Sequence, residues 1–116
     1  MNILLRAAAV AVLAALGSPS QAAEAVTGRW SADPSSCSYF GGAEQSPLVV
    51  TGSAVHWRDD SCRIARMYKT GDTFHIEARC WSLAGERSIP VSLRPHGGQL
   101  QVTWDRVRRG DLRRCL

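Results

Sequence analysis

From Phe74 the chain alternates strictly. Phe74, Ile76, Ala78 and Cys80 share one parity, and His75, Glu77, Arg79 and Trp81 share the other. Successive side chains of a strand point to opposite faces, so this is the pattern of a half-buried strand. The preceding stretch offers Cys62, Ile64 and Tyr68 as its inward set, with Thr70-Gly71-Asp72 as the turn. A three-residue loop sets Lys69 opposite Thr73, and counting outward then sets Cys62 opposite Cys80. Strict alternation would carry Arg66 to the inner face. A β-bulge would expose it instead, and is the preferred reading. Turned inward, Arg66 would need Glu77 or a bound anion beside it, and would mark a ligand cavity.

The same period of two recurs on both sides of this hairpin. Val26–Ser31 reads as a first strand, and the loop of residues 32–46 is broken by Pro34 and Gly41-Gly42. Pro47–Thr51 and Ala54–Arg58 form a tight hairpin around Gly52-Ser53. Arg87–Arg94 turns Ile89, Val91 and Leu93 inward. Pro90 there lacks an N–H and predicts an edge, a bulge or a loose ladder. After the turn Pro95–Gly98, Gln99–Asp105 turns Leu100, Val102 and Trp104 inward, and the tail 106–116 has room for one short strand more. The expectation is an all-β antiparallel meander of seven to eight strands. Closing it into a barrel removes its edges. An open meander with a C-terminal helix is the alternative.

Residues 1–23 read as a signal peptide. A short basic start ends at Arg6, an apolar run spans Ala7–Leu16, and small residues around Ala22-Ala23 offer cleavage sites. The run is well short of the ~20 residues that cross a bilayer. Residues 24–116 are then one domain, periplasmic or secreted, with no stable membrane anchor after cleavage. So short a chain buries only about 60–65% of its unfolded surface. Its four cysteines, Cys37, Cys62, Cys80 and Cys115, fit two disulfides in an oxidising compartment. Four cysteines allow three connectivities. The hairpin register favours Cys62–Cys80, which leaves Cys37–Cys115.

Candidate chemistry is sparse. Lys and Arg number 14 against 10 Asp and Glu. Removing Arg6 with the leader leaves 13 against 10, a net charge of +3. Arg106, Arg108, Arg109, Arg113 and Arg114 crowd the C-terminus, without the interleaved aromatics of a nucleic-acid surface. His56 and His75 fall on outward parities and His96 in a turn. No cysteine pair has C-x₂₋₄-C spacing, so neither a metal site nor a cofactor is expected. Asp59-Asp60 sits in a polar turn facing water, and no G-x-S-x-G or free thiol supplies a nucleophile. No catalytic residue is assigned. The candidate binding residues are Tyr39 and Phe40 in the long loop, with Arg66 and Trp81 on the central hairpin.

Gly28-Arg29-Trp30 resembles the first-strand G-x-W of the calycins, the lipocalin-type barrels. That likeness implies a tryptophan, Trp30, closing one barrel end under an arginine from the last strand. A longer set resembles small exported bacterial β-barrel proteins: G-x-W, then Asp33, Pro34 and Cys37, Pro47-Leu48, Cys62 to Ile64, and Arg114-Cys115. No activity follows from it. The opening from G-x-W to Cys37 is also similar to the small barrels that inhibit metalloproteases in the bacterial periplasm. Size, compartment and disulfides are shared with barrel inhibitors of lysozyme. The expected function is therefore a non-enzymatic binding module, an inhibitor of a hydrolase such as a protease or lysozyme. A small-ligand carrier of calycin type is the alternative. The partner is an exported protein or a small ligand.

Overall fold

The computed structural model describes residues 24–38 and 46–116. Residues 1–23, read above as a signal peptide, and the loop aromatics Tyr39 and Phe40 lie outside the described residues. Eight strands follow in chain order: β1 (Gly28–Ser31), β2 (Leu48–Val50), β3 (Ala54–Trp57), β4 (Asp60–Thr70), β5 (Thr73–Ser82), β6 (Gly85–His96), β7 (Gln99–Trp104) and β8 (Val107–Arg114). Each pairs antiparallel with its neighbour in sequence, and β8 returns to β1, so the meander is a closed barrel. The tail supplies a full last strand, not a helix. A short 3₁₀ turn, Pro34–Ser38, follows β1, with the Asp33 carboxylate accepting from the Ser35 N–H at 3.1 Å.

The disulfides are Cys62–Cys80 and Cys37–Cys115. The first lies where the hairpin register put it, but the path to it differs. The turn holds two residues, Gly71-Asp72, so Thr70 faces Thr73 and Lys69 faces Phe74. That shifts the ladder by one. Ala65 then bulges out between Ile64 and Arg66 and shifts it back, so that Ile64 faces Ala78 and Cys62 faces Cys80. Between bulge and turn the inward positions change accordingly. Met67 packs against the core, and Tyr68, expected inward, stands outside at 42% exposure.

Strand direction sorts the turns by barrel end. Thr51–Ser53, Gly71-Asp72 and Gly97-Gly98 lie at one end. Arg58-Asp59, Leu83-Ala84 and Asp105-Arg106 lie at the other. Asp60 thus opens β4 instead of finishing a turn.

The axis is filled by side chains. Leu48, Val50, Val55, Ile76, Cys80, Ile89, Val91, Leu93, Leu100 and Val102 are all buried. Trp57 and Trp104 meet edge to face at 5.3 Å, a favoured aromatic geometry. Closure is uneven. The β4–β5 and β5–β6 ladders run almost the full length of their strands, whereas β1 meets β8 only at Trp30–Arg114 and Ser31–Arg113. Pro90 sits where the β6–β7 ladder ends: Val91 faces Trp104, and the Pro90 carbonyl accepts from the Asp105 N–H at 2.9 Å. The missing proline N–H therefore breaks no ladder bond on that side.

Candidate functional site

The outer wall of the β4–β5 hairpin carries the densest set of exposed recognition side chains. Cross-strand neighbours there are Ser61 with Trp81, Arg63 with Arg79, Arg66 with Glu77, and Tyr68 with His75. Trp81 is 43% exposed although large and apolar. The Arg63 guanidinium lies over its ring at 5.9 Å. At the other end of the wall the Arg66 guanidinium sits 4.8 Å from the Tyr68 ring centre. Tyr68 stacks on His75 at 4.9 Å with ring planes 18° apart. His75 is fixed in turn: its Nε2 lies 2.7 Å from Thr70 Oγ1, and its Nδ1 3.5 Å from Ser92 Oγ. Aromatic rings braced this way present area with little rotamer entropy left to lose on binding.

The charges on this wall are only partly matched. Arg66 reaches Glu77 at 3.5 Å and Arg79 reaches Glu86 at 3.3 Å, both well exposed pairs. Such pairs are worth about 0–1 kcal/mol. Arg63 faces Arg79 directly, and like charges opposite each other in a sheet repel. Beside Arg63 runs a shallow groove of about 270 Å³, lined by Ser53, Ala54, His56, Ser61, Arg63 and Trp81. His56 Nδ1 lies 3.0 Å from Ser61 Oγ and fixes one rim. A separate, larger groove of about 510 Å³ is lined by Glu77, Arg79, Ser88, Pro90 and Arg106 among others.

Compared with known proteins, the chain matches no family model, no curated protein and no solved structure. Its chemistry is read from its own geometry.

The sequence-derived candidates divide. Arg66 and Trp81 share the hairpin wall, joined by Arg63 and Tyr68, which sequence reasoning did not single out. Arg66 points outward through the Ala65 bulge, so it marks no interior cavity. Trp30 lies in the interior, buried, and takes no part in this wall. Its Nε1–H donates to the Val26 carbonyl at 3.0 Å, and the Arg114 guanidinium stacks 4.3 Å above its ring. Arg114 also donates to the carbonyls of Thr27 at 2.6 Å and Ala25 at 3.3 Å. Gly28 permits this approach. Its φ is +141°, and a Cβ built there would stand 2.5 Å from Arg114 Nη1.

At the far end, Asp60 sits by the tryptophan pair. Burial raises its carboxyl above the ordinary value, and Asp59 and Asp105 push the same way. Arg87 and a hydrogen bond from the Trp104 side chain oppose them. Arg87 bridges to Asp105 at 2.8 Å. The neighbouring mouth recess, floored by Trp30, Trp57 and Leu112, holds about 180 Å³. Among the described residues no cluster of three His, Cys, Asp or Glu could hold a metal ion.

Proposed function

We propose that the chain is an exported, non-enzymatic binding module that engages a protein partner through the β4–β5 outer wall, with an exported hydrolase as the partner class. The carrying observation is the pairing of two exposed rings, Trp81 and Tyr68, with Arg63 and Arg66 on one rigid hairpin. Trp, Tyr and Arg dominate the energetics of protein interfaces. Two disulfides suit a chain working in an oxidising, extracytoplasmic compartment, where protease or lysozyme inhibition would be useful.

The calycin-type reading draws support from Arg114 stacked on Trp30 beside Gly28. Its carrier function draws less. Ligand pockets usually span about 300–1,000 Å³, and the mouth recess over Trp30 and Trp57 falls below that range at about 180 Å³.

The test compares the oxidised protein with a Tyr68→Ala/Trp81→Ala variant. Both are assayed for binding and inhibition against purified lysozymes and exported metalloproteases. Inhibition by the wild type and at least a tenfold loss in the variant is expected, since hot-spot truncations cost about 2 kcal/mol or more. No inhibition by the wild type removes the hydrolase reading, and equal activity of the variant removes this wall.

A further inference from the structure

The two disulfides differ in their surroundings. Cys62 and Cys80 are buried inside the barrel at 3% and 0% exposure. Cys37 and Cys115 are half-buried and line an open recess of about 420 Å³ with Ser31, Pro34, Arg113 and Arg114. Arg113 forms no ion pair among the described residues, and its side chain is exposed. Arg114 is occupied by Trp30 and two carbonyls, yet its charge remains at the recess wall. Thiolates are the attacking species in disulfide exchange, and cationic surroundings both attract them and stabilise the thiolate that leaves.

The recess also lies at one of the two seams of the barrel with the fewest ladder pairs, the other being β2–β3. Only two residue pairs join β1 to β8. The Cys115 N–H adds one bond to the Arg29 carbonyl at 2.7 Å. The Arg114 clamp adds its stacking and its two carbonyls. The Cys37–Cys115 link spans 78 residues against 18 for Cys62–Cys80, and on the chain-entropy account the longer loop gains more from its link. Closure at this seam therefore leans on one accessible covalent bond.

We infer that Cys37–Cys115 is a thiol-exchange site that accepts a small carboxylate-bearing thiol, and that its opening loosens the β1–β8 seam while Cys62–Cys80 stays closed. In the first step the incoming thiolate attacks one sulfur. The Cys37–Cys115 bond breaks, a mixed disulfide forms, and the displaced cysteine leaves as a thiolate beside the arginines. A second thiolate then attacks the mixed disulfide. It releases the small-molecule disulfide and leaves both cysteines reduced. Two electrons pass from two external thiols to the protein, and water protonates the cysteine thiolates.

The experiment treats the oxidised protein with 3-mercaptopropionate or cysteamine at low and high salt. Free cysteines are trapped with iodoacetamide and mapped by peptide. Rates are compared per thiolate. Cys37 and Cys115 are expected to be labelled first, with Cys62 and Cys80 protected. The anionic thiol should react several-fold faster than the cationic one at low salt, and salt or Arg113→Gln should shrink that ratio. Exposed Arg113 makes this variant safe for the fold. Hydrogen exchange on the selectively reduced protein should show lost protection in Gly28–Ser31 and Val107–Arg114 but not in β5. Simultaneous opening of both bridges overturns the inference, as does equal reactivity of the two thiols. Unchanged protection after reduction overturns the seam's dependence on the bridge.

Discussion

At residue scale, Gly28 and Arg114 are a matched pair. Gly28→Ala adds a methyl 2.5 Å from Arg114 Nη1 at a φ of +141°. It is expected to cost about 1–3 kcal/mol. Arg114→Ala removes the cation over Trp30 and leaves the Thr27 and Ala25 carbonyls without that donor, a loss of similar size. The double variant should cost less than the two losses added, because the methyl no longer meets a guanidinium while the strain of a side chain at that φ remains. Urea melts of the four proteins measure that coupling; strict additivity would show that the two residues act apart. Asp60 supplies a pH test. A carboxyl held above its unfolded value keeps its proton where the unfolded chain has lost it. Stability is then fully present below about the ordinary 3.8 and declines as pH rises through the raised value. Asp60→Asn keeps an oxygen for Trp104 and has no charge to desolvate. It should be more stable than wild type at neutral pH, and the gap should close on acidification. Urea midpoints from about pH 3 to about pH 7 read this out. A gap that widens toward acid would mean the carboxylate is stabilising.

At element scale, the central hairpin shows what alternation can and cannot reveal. The Cys62–Cys80 pairing was legible because two departures cancel: the turn is one residue shorter than expected, and Ala65 is one residue extra. Trp81 was legible as outward because β5 alternates without interruption. Tyr68 was not, since nothing in Ile64-Ala65-Arg66 announces which residue bulges, and a slip of one reverses every side chain beyond it. Arg66 was placed outward on physical grounds, as an inward guanidinium lacks a partner there. A final-strand arginine over Trp30 was legible as a type. Which of five arginines it is depends on the β1–β8 register and on a second bulge at Arg109, between Val102–Gly110 and Thr103–Arg108. The bulge itself can be tested. Removing Ala65 leaves Ile64 and Met67 inward and Arg66 and Tyr68 outward in a regular ladder. The deletion is therefore expected to keep the Cys62–Cys80 bridge and to cost only about 1 kcal/mol, through lost strand bending. Peptide mapping that finds another pairing would show that the bulge sets the register instead of accommodating it.

At the scale of the whole molecule, the barrel is a three-stranded sheet completed by short strands. β4, β5 and β6 span 11, 10 and 12 residues, whereas β1, β2 and β3 span 4, 3 and 4. The buried Cys62–Cys80 bridge lies within the long sheet and closes a separation of 18 residues, worth about 3 kcal/mol by chain entropy. Local opening draws on the regions with the fewest ladder bonds. With both disulfides intact, amides of β5 should therefore exchange only through global unfolding, at a free energy within the usual ~5–15 kcal/mol. Amides of β1 and β2 should exchange through a smaller opening, at clearly lower free energy and with little dependence on denaturant. Native-state hydrogen exchange in low urea separates the two classes. A single common free energy for all strands would mean that the barrel opens as one unit. The gradient, if found, has a direct bearing on recognition. Trp81, Tyr68 and their arginines stand on the last part of the molecule to open. The proposed face is then held rigid even while the seam on the other side of the barrel breathes.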